Sequence, residues 1–178
     1  MADSSITKKA MANSLKNLMQ TKSFQKISIN DICSGCNMNR KSFYYHFQDK
    51  YDLLNWIFDT EFREFQSTDI KILLPQLCHF FYNNHNFYRK ALLVDGQNSF
   101  RSHLYDILYR ATSKMLENIA EDEDFEELQI QFITDGIMCA LIRWIVNPAC
   151  INADEFMSKI SSLIAHLIKV ITAKYSNN

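Results

Sequence analysis

The sequence contains few of the residues that interrupt helices. Its 178 residues include only three glycines and two prolines. Because glycine and proline are the residues that most often break or end a helix, their scarcity favours long helices joined by short connections. The composition therefore predicts an all-α protein.

Signals for export or membrane insertion are also missing. No run of about 18 consecutive apolar residues occurs, so we expect no transmembrane helix. The N-terminal MADSSITKKAM has no apolar segment followed by a small-residue cleavage site, which does not match a secretory signal. These observations predict a cytoplasmic protein, in which the five cysteines would be reduced thiols.

The motifs of common enzyme classes are not found. The sequence has no G-x-S-x-G, no Walker loop, no G-x-G-x-x-G after a strand and no H-E-x-x-H, which are the motifs of well-known hydrolases and nucleotide enzymes. Cys78 and His79 are neighbours, and adjacent positions on a helix point in different directions, so they cannot form a nucleophile–base pair. We predict no enzymatic activity and no cofactor.

Two groups of residues could in principle bind a metal. Cys33 and Cys36 form a C-x-x-C motif, which could be redox-active or half of a zinc site, but no second C-x-x-C or paired histidines complete tetrahedral zinc. The alternative is that both thiols pack as small apolar groups. The acidic run 121–127 could hold a cation, or it could be a solvated loop and helix start. We predict no metal site.

Charge divides the chain into two unequal parts. Residues 1–50 carry eight Lys or Arg against three Asp, a net charge of +5, while the remaining residues carry eleven against seventeen, a net of −6. A basic head on an acidic body fits a DNA-binding module attached to a part that avoids DNA. We predict a DNA-binding domain at 1–50 and a helical regulatory and dimerisation domain at 51–178.

The stretch 27–50, ISINDICSGCNMNRKSFYYHFQDK, contains two short predicted helices separated by a turn. Ser28 and Asn39 can cap these helices, because each can accept free backbone N–H groups at a helix start. Gly35 falls where a tight turn would let the two helices cross at a steep angle. This pattern predicts a helix-turn-helix whose second helix enters the DNA major groove.

These residues resemble the tetracycline-repressor (TetR) family of bacterial transcription regulators. The likeness lies in ISINDI, a turn of small residues, NRKSFYYHF, and KYDLLNWIF. The family usually has Ala-Gly in the turn and Ser-Gly-Thr entering the recognition helix, whereas this chain has Gly35-Cys36 and Arg40-Lys41-Ser42. Its recognition helix is therefore more basic. The downstream run FYNNHNFYRKALLVDGQNSF resembles a subgroup that includes regulators of dihydroxyacetone kinase operons.

The resemblance and side-chain chemistry together predict which residues contact double-stranded DNA. Arg40 and Lys41 would read bases with help from Ser42, since Arg can form a forked pair with guanine. Tyr44 and Tyr45 could instead stack on single-stranded bases, and Lys8 could be ordinary solvated charge. The predicted DNA contacts are Lys8, Ser28, Asn39, Arg40, Lys41, Ser42, Tyr44, Tyr45, His46 and Lys50, among which Lys8, Ser28, Tyr44 and Lys50 are assigned to phosphates.

The apolar helices of the body allow two interpretations. Residues 128–146 and 156–171 carry long apolar stripes, which could be monomer core or a four-helix interface between twins across a two-fold axis. The family resemblance implies the homodimer. The predicted interface residues are Ile133, Ile137, Leu141, Trp144, Ile160, Leu163, Leu167 and Ile171.

Aromatic residues with polar tips recur through the body. They could line a cavity for a small-molecule effector, or they could form a packed core with tyrosines at its edge. The subgroup resemblance implies a further alternative, regulation by a partner protein. The candidate effector pocket consists of Phe81, Tyr88, His103, Tyr105 and Tyr109.

We therefore predict a TetR-like transcription regulator with a helix-turn-helix head and a C-terminal helical bundle. It would bind a near-palindromic operator as a homodimer, and a small molecule or a co-regulator protein would control it through movement of the helix that follows Asp49. The alternative is a helical protein-interaction module or ligand-binding co-regulator that does not itself bind DNA. Salt-dependent DNA binding discriminates between the two.

Overall fold

The computed structural model describes residues 2–63, 65, 67–94, 100–117 and 123–175. These residues form α-helices and one short 3-10 helix, with no strand among them, so the prediction of an all-α fold is confirmed. The helices are α1 (Ala2–Thr21), the 3-10 helix (Phe24–Lys26), α2 (Ile29–Gly35), α3 (Arg40–His46), α4 (Lys50–Phe62), α5 (Ile70–Asn83), α6 (His85–Ala91), α7 (Phe100–Leu116), α8 (Glu123–Val146) and α9 (Ala153–Tyr175).

The head is a three-helix unit in which α1 packs against both α2 and α3. Its core consists of apolar side chains from all three helices, with Leu15, Ile32 and Phe43 each fully buried. Helix α1 is the longest of the three, with 20 residues. Burial of this shared apolar face is what holds α3 in a fixed position on the surface.

Helix α4 leads from the head into an aromatic core. Phe58 and Phe62 of α4 approach Phe100 of α7, with ring centroids 4.0 Å and 5.4 Å from it. Phe81 of α5 lies 5.8 Å from Phe62, and Tyr88 of α6 lies 5.1 Å from Phe81. Because aromatic rings bury large areas in preferred geometries, these side chains fill the space between α4, α5, α6 and α7.

Helix α5 begins at a side-chain cap. Asp69 accepts a hydrogen bond from the Lys71 backbone N–H at 2.9 Å, and the helix starts at Ile70. Pro75 consequently lies in the second turn, where it leaves the Lys71 carbonyl without its usual donor. Asp95 and Gly96, a pair that favours a turn, lie outside the described residues, as do residues 121–122 at the start of the acidic run.

Helix α8 qualifies the expectation that no helix spans a membrane. Its residues Glu126–Val146 are long and apolar enough to do so by length and composition alone, a criterion that core helices of soluble proteins also meet. Here α8 packs against α6 and α7, and Leu141 and Trp144 are buried within the chain. The Trp144 ring stacks on Phe156 of α9 at 4.5 Å, which joins the last two helices.

Candidate nucleic-acid interface

Helix α2 begins with a reciprocal cap between Ser28 and Asp31. The Asp31 backbone N–H donates to Ser28 Oγ at 3.1 Å, and the Ser28 backbone N–H donates to Asp31 Oδ2 at 2.9 Å. The bonds from Ser28 lower the pKa of the Asp31 carboxyl. The predicted cap is confirmed. The Ser28 hydroxyl also donates a hydrogen bond to Asp31 Oδ2 at 2.8 Å. To donate to a DNA phosphate, the hydroxyl would have to break this bond.

The turn between α2 and α3 uses asparagine where the sequence predicts a role for glycine. Asn37 has a φ of 54°, the left-handed conformation that Asn tolerates better than most residues. Gly35 ends α2 without a positive φ, but a Cβ there would lie 2.3 Å from Ser14 Oγ. The prediction that Gly35 shapes the turn was wrong: it is needed for the close approach of α2 to α1.

Asn39 fixes the start of α3. Its Oδ1 accepts the Ser42 backbone N–H at 2.8 Å, as predicted. Phe43 is the buried residue of the helix, while Tyr44 is 50% exposed and Tyr45 82% exposed. Exposed tyrosines offer a partner both aromatic surface and a hydroxyl. The capped helix therefore presents nearly all of its side chains outward.

Half of the predicted contacts line one shallow cleft of about 380 Å³ between α3 and the beginning of α1. Thr7 contributes from α1. The cleft offers an ammonium, an imidazole, hydroxyls and an amide, groups that suit phosphate oxygens and base edges. The predicted residues in it are Asn39, Lys41, Ser42, Tyr45 and His46.

Arg40 is held in place by its neighbour one turn later. Its Nη2 donates to the Tyr44 hydroxyl at 3.2 Å, and its guanidinium lies 5.7 Å from the Tyr44 ring centroid. The hydrogen bond from Arg40 raises the pKa of its guanidinium, so the group stays charged. One guanidinium edge remains free for a base or a phosphate.

The structure gives Lys50 a different role from the predicted phosphate contact. Its Nζ donates to the carbonyls of Phe24, Gln25 and Ile27 at 2.9 Å, 3.1 Å and 2.8 Å. Partial burial lowers the pKa of the ammonium. Since an ammonium has three N–H donors and all three are used, Lys50 fastens the segment after α1 onto the start of α4.

Lys8 lies on the rim of the head. Its ammonium is 5.3 Å and 5.9 Å from the ring centroids of Phe47 and Trp56, and it lines a groove together with Lys9 and Arg63. Cation–π contacts of this kind restrict a lysine without neutralising its charge. Lys8 therefore remains able to pair with a phosphate.

The C-x-x-C motif packs inside the head. Cys33 is buried, and the Cys36 thiol donates to the Ile32 carbonyl at 3.3 Å. Burial raises the pKa of both thiols, which keeps them protonated and poor as metal ligands or nucleophiles. Within the described ranges, no three His, Cys, Asp or Glu residues are grouped so that they could hold a metal ion.

The candidate effector-pocket residues occupy three separate places. Phe81 and Tyr88 are fully buried in the aromatic core. His103 lies at the surface, with Nε2 3.4 Å from Asp59 Oδ1. Tyr105 and Tyr109 lie beside α8, where the Tyr109 hydroxyl donates to Glu127 Oε2 at 2.7 Å. The structure does not gather the five around one cavity.

The predicted interface residues are also divided. Leu141 and Trp144 belong to the core of a single chain, whereas Leu163 is 52% exposed. The half-buried members are Ile133, Ile137 and Ile160, and the side chains of Leu167 and Ile171 lie outside those described. Leu128 and Phe132, which are not among the predicted residues, are 61% and 78% exposed; their i, i+4 spacing on α8 was the available signal.

A polar junction that the sequence analysis missed joins the head to the body. The Glu61 carboxylate of α4 accepts from Lys16 Nζ of α1 at 2.6 Å and from the Tyr88 hydroxyl of α6. Burial and the Glu61 charge raise the pKa of Tyr88, so its hydroxyl stays protonated and donates. Lys90 of α6 donates to the Met19 carbonyl of α1 at 2.6 Å. No local pattern reveals these partners, because they are far apart in sequence.

Two protein-family models match the chain. Residues 14–57 match the model described as bacterial regulatory proteins, tetR family. Residues 69–166 match the model described as transcriptional regulator C-terminal region. Together these matches include α2 and α3 and most of the body.

Similar proteins of known name span nearly the full chain. The HTH-type dhaKLM operon transcriptional activator DhaS of Lactococcus lactis subsp. lactis (strain IL1403) is 33% identical over 186 residues, covering 96% of this chain and 95% of its own. The solved structure of a dihydroxyacetone kinase operon activator DhaS has a TM-score of 0.71 at 24% identity, covering 93% of this chain and 97% of that one. A TetR transcriptional regulator from Streptococcus agalactiae 2603V has a TM-score of 0.63 at 19% identity, with coverages of 92% and 96%.

Proposed function

This chain belongs to the TetR family of bacterial transcription regulators, and from that premise we propose that it binds a near-palindromic DNA operator as a homodimer through α3. The observation that carries the proposal is the capped, outward-facing α3, on which Arg40 and Lys41 are both exposed. A basic head of net charge +5 supports it, since phosphate attraction supplies much of the affinity for DNA.

Base reading and backbone contact fall to different residues. Arg40, oriented by Tyr44, would bond a guanine in the major groove, with Lys41 and Ser42 beside it. Lys8 and the Tyr44 hydroxyl would bind phosphates and set the register. Among the other predicted contacts, Asn39 serves the helix start, whereas Tyr45 and His46 would touch the DNA backbone.

We place the DNA-binding domain at residues 1–50 and the regulatory domain at 51–178, with dimerisation through α8 and α9. The exposed apolar side chains of Leu128, Phe132 and Leu163 support this assignment, because water-exposed apolar area favours association. Phe132→Asp should convert a dimer to monomers in sedimentation-velocity experiments. A dimer that is unchanged by Phe132→Asp would move the interface elsewhere.

The Glu61 junction is the route by which the body would control the head. Lys16, Tyr88 and Lys90 connect α1 to α4 and α6, so a shift of α6 would move the head and change the spacing of the two recognition helices. The two DhaS relatives are named as activators, which supports activation over repression. We place the protein in the cytoplasm, where its DNA lies.

Selection from a pool of random-sequence duplexes, at two salt concentrations, tests the proposal. We expect enrichment of an inverted repeat, with affinity that falls steeply as salt rises. No enrichment together with weak salt dependence would reject DNA binding and favour a helical protein-interaction module.

A further inference from the structure

A surface cleft lies where the connecting helix α4 meets α7. Its volume is about 450 Å³, and it is bordered by the last turn of α4, the segment that follows it and one face of α7. Arg63 contributes from the end of α4, and His103, Ile107 and Arg110 contribute from α7. The spacing of the three α7 residues places them on a single helix face.

The two arginines give this cleft an unusual charge for the body. Arg63 and Arg110 are both exposed, and within the described part of the chain neither forms an ion pair. The one acidic residue of the lining, Asp59, lies 3.4 Å from His103 Nε2. Two unpaired guanidiniums facing one cleft, in a body with a net charge of −6, indicate attraction for an anion.

The rest of the lining suits the carbon part of a small molecule. Phe65 is half-buried and provides aromatic surface, while the buried Phe62 lies behind it, with its ring centroid 5.8 Å from Phe65 and 6.2 Å from the His103 ring. Ser67 and Thr68 add hydroxyls to the lining. The cleft thus combines a small apolar part with several polar groups that could orient a ligand.

From these features we propose that the cleft binds a small organic anion, with its phosphate or carboxylate group held by Arg63 and Arg110. Guanidinium groups match both anions, because their N–H donors can bond two oxygens at once. The carbon part would lie on Phe65. The rings of Phe81 and Tyr88 pack 5.1 Å apart in the core, so of the five predicted pocket residues this cleft includes His103 alone.

A ligand in this cleft would connect α4, which leads from the head, to α7 of the body. Arg63 belongs to the end of α4 and also lines the groove with Lys8 and Lys9 of α1, while Arg110 belongs to the body. An anion bound by both would fix α4 against α7. Its regulatory effect rests on the proposed function, whereas the binding itself does not.

Isothermal titration of the full chain at constant ionic strength tests the site, with inorganic phosphate, glucose 6-phosphate and succinate as probes. We expect saturable binding of at least one probe. Arg63→Gln and Arg110→Gln should each weaken it about tenfold or more, as the loss of a charge-assisted hydrogen bond predicts. Lys71→Gln, which removes an exposed body cation outside the cleft, should bind like the wild type.

The probes and a DNA control separate the outcomes. Preference for glucose 6-phosphate assigns a phosphate ligand, and preference for succinate assigns a carboxylate ligand. Absence of saturable binding to all three, or equal binding by the wild type and both arginine variants, would overturn the site. If the wild type and Arg110→Gln both bind the selected operator, a negative titration result overturns only the anion site. If the wild type binds no operator, it is the proposed function that fails.

Discussion

Both the head and the body have an apolar core, but each adds a different kind of contact that fixes its helices. In the head, polar side chains bond the backbone close by in sequence: Asn39 accepts the Ser42 N–H at 2.8 Å, and Asp49 accepts the Tyr51 N–H at 2.8 Å. In the body, rings from distant helices meet, as Phe58 and Phe100 do at 4.0 Å. A local cap can fix the start of a helix and leave its other side chains exposed. Aromatic packing instead buries the side chains that it uses.

This difference matches the division of function. Of the seven residues of α3, Phe43 alone is buried, while α7 buries seven of its seventeen. The side chains of α3 in the head are therefore exposed and available to contact DNA, whereas many side chains of the body are buried and stabilise the fold. The exceptions in the body, such as Arg63 and Arg110, are where a ligand is expected.

The largest expected effect on stability comes from a substitution in the aromatic core of the body. Phe81 is fully buried, so Phe81→Ala should lower the free energy of unfolding by about 3–5 kcal/mol, through lost burial and a new cavity. Tyr45→Ala, at a residue that is 82% exposed, should change it by less than about 0.5 kcal/mol. Urea denaturation followed by circular dichroism measures both. Equal effects would contradict the contrast between the two regions.

A glycine in each region sharpens the comparison. Gly35→Ala would place a Cβ 2.3 Å from Ser14 Oγ, and we expect a loss of about 1–3 kcal/mol from overpacking. The Cβ of Gly136→Ala on α8 would meet none of the described residues within 4 Å, and this change should instead stabilise the helix by about 0.5–1 kcal/mol. Thermal unfolding of the variants measures the two signs. Adding Ser14→Ala should relieve part of the Gly35→Ala loss; an undiminished loss would exclude the clash as its cause.

Two lysines within the head should separate stability from DNA binding. Lys50→Met removes the donor to three carbonyls and should cost about 1–3 kcal/mol of stability. Lys41→Met removes an exposed charge and should weaken DNA binding without changing the melting temperature. Calorimetry and fluorescence anisotropy with labelled duplex measure the pair. A stable Lys50→Met variant with impaired DNA binding would restore the phosphate role first predicted for Lys50.

Loss of one local cap should have a smaller effect. Asn39→Ala removes the acceptor of the Ser42 N–H and should cost about 1 kcal/mol. Asn39→Asp keeps a capping oxygen and should retain most of the stability. Chemical denaturation compares the two. If both variants lose the same amount, the cap does not hold α3.

The smallest effect concerns the pH dependence of the α2 cap. The bonds from Ser28 make the pKa of Asp31 lower in the folded chain than in the unfolded chain. The stability they contribute is therefore present above the unfolded pKa, about 4, and is lost as pH falls through the folded pKa. Wild type should exceed Asp31→Asn in melting temperature at pH 7, and the gap should close at lower pH. If the difference in melting temperature widened as pH fell, the pKa of Asp31 would be raised on folding instead of lowered, which would contradict this prediction.

The sequence was sufficient for the head because its determinants are local. Ser28 and Asn39 could be predicted as caps, since each one's partner lies three residues later. The role of Gly35 was not accessible, because the conflict that demands glycine comes from Ser14 on another helix. The carbonyls that accept from Lys50 lie more than twenty residues away in sequence. The helix-turn-helix pattern therefore does not predict them.

The candidate ligand site shows the same limit more strongly. Periodicity could place Phe81 and Tyr88 on helices, but not decide whether their rings enclose a cavity or fill it. Arg63 and Arg110 belong to helices that meet only after the chain has folded through α5 and α6. No pattern in the linear sequence brings these two charges together.

The most direct test compares the wild type with Arg40→Ala on the selected operator, on its single-base variants and on random duplex. If α3 reads bases, the wild type should discriminate at every position of each half-site. Arg40→Ala should lose about 1–3 kcal/mol on the operator, relax preference at one base pair and bind random duplex almost unchanged. Equal weakening on operator and random DNA, with the base preference intact, would contradict sequence reading by α3.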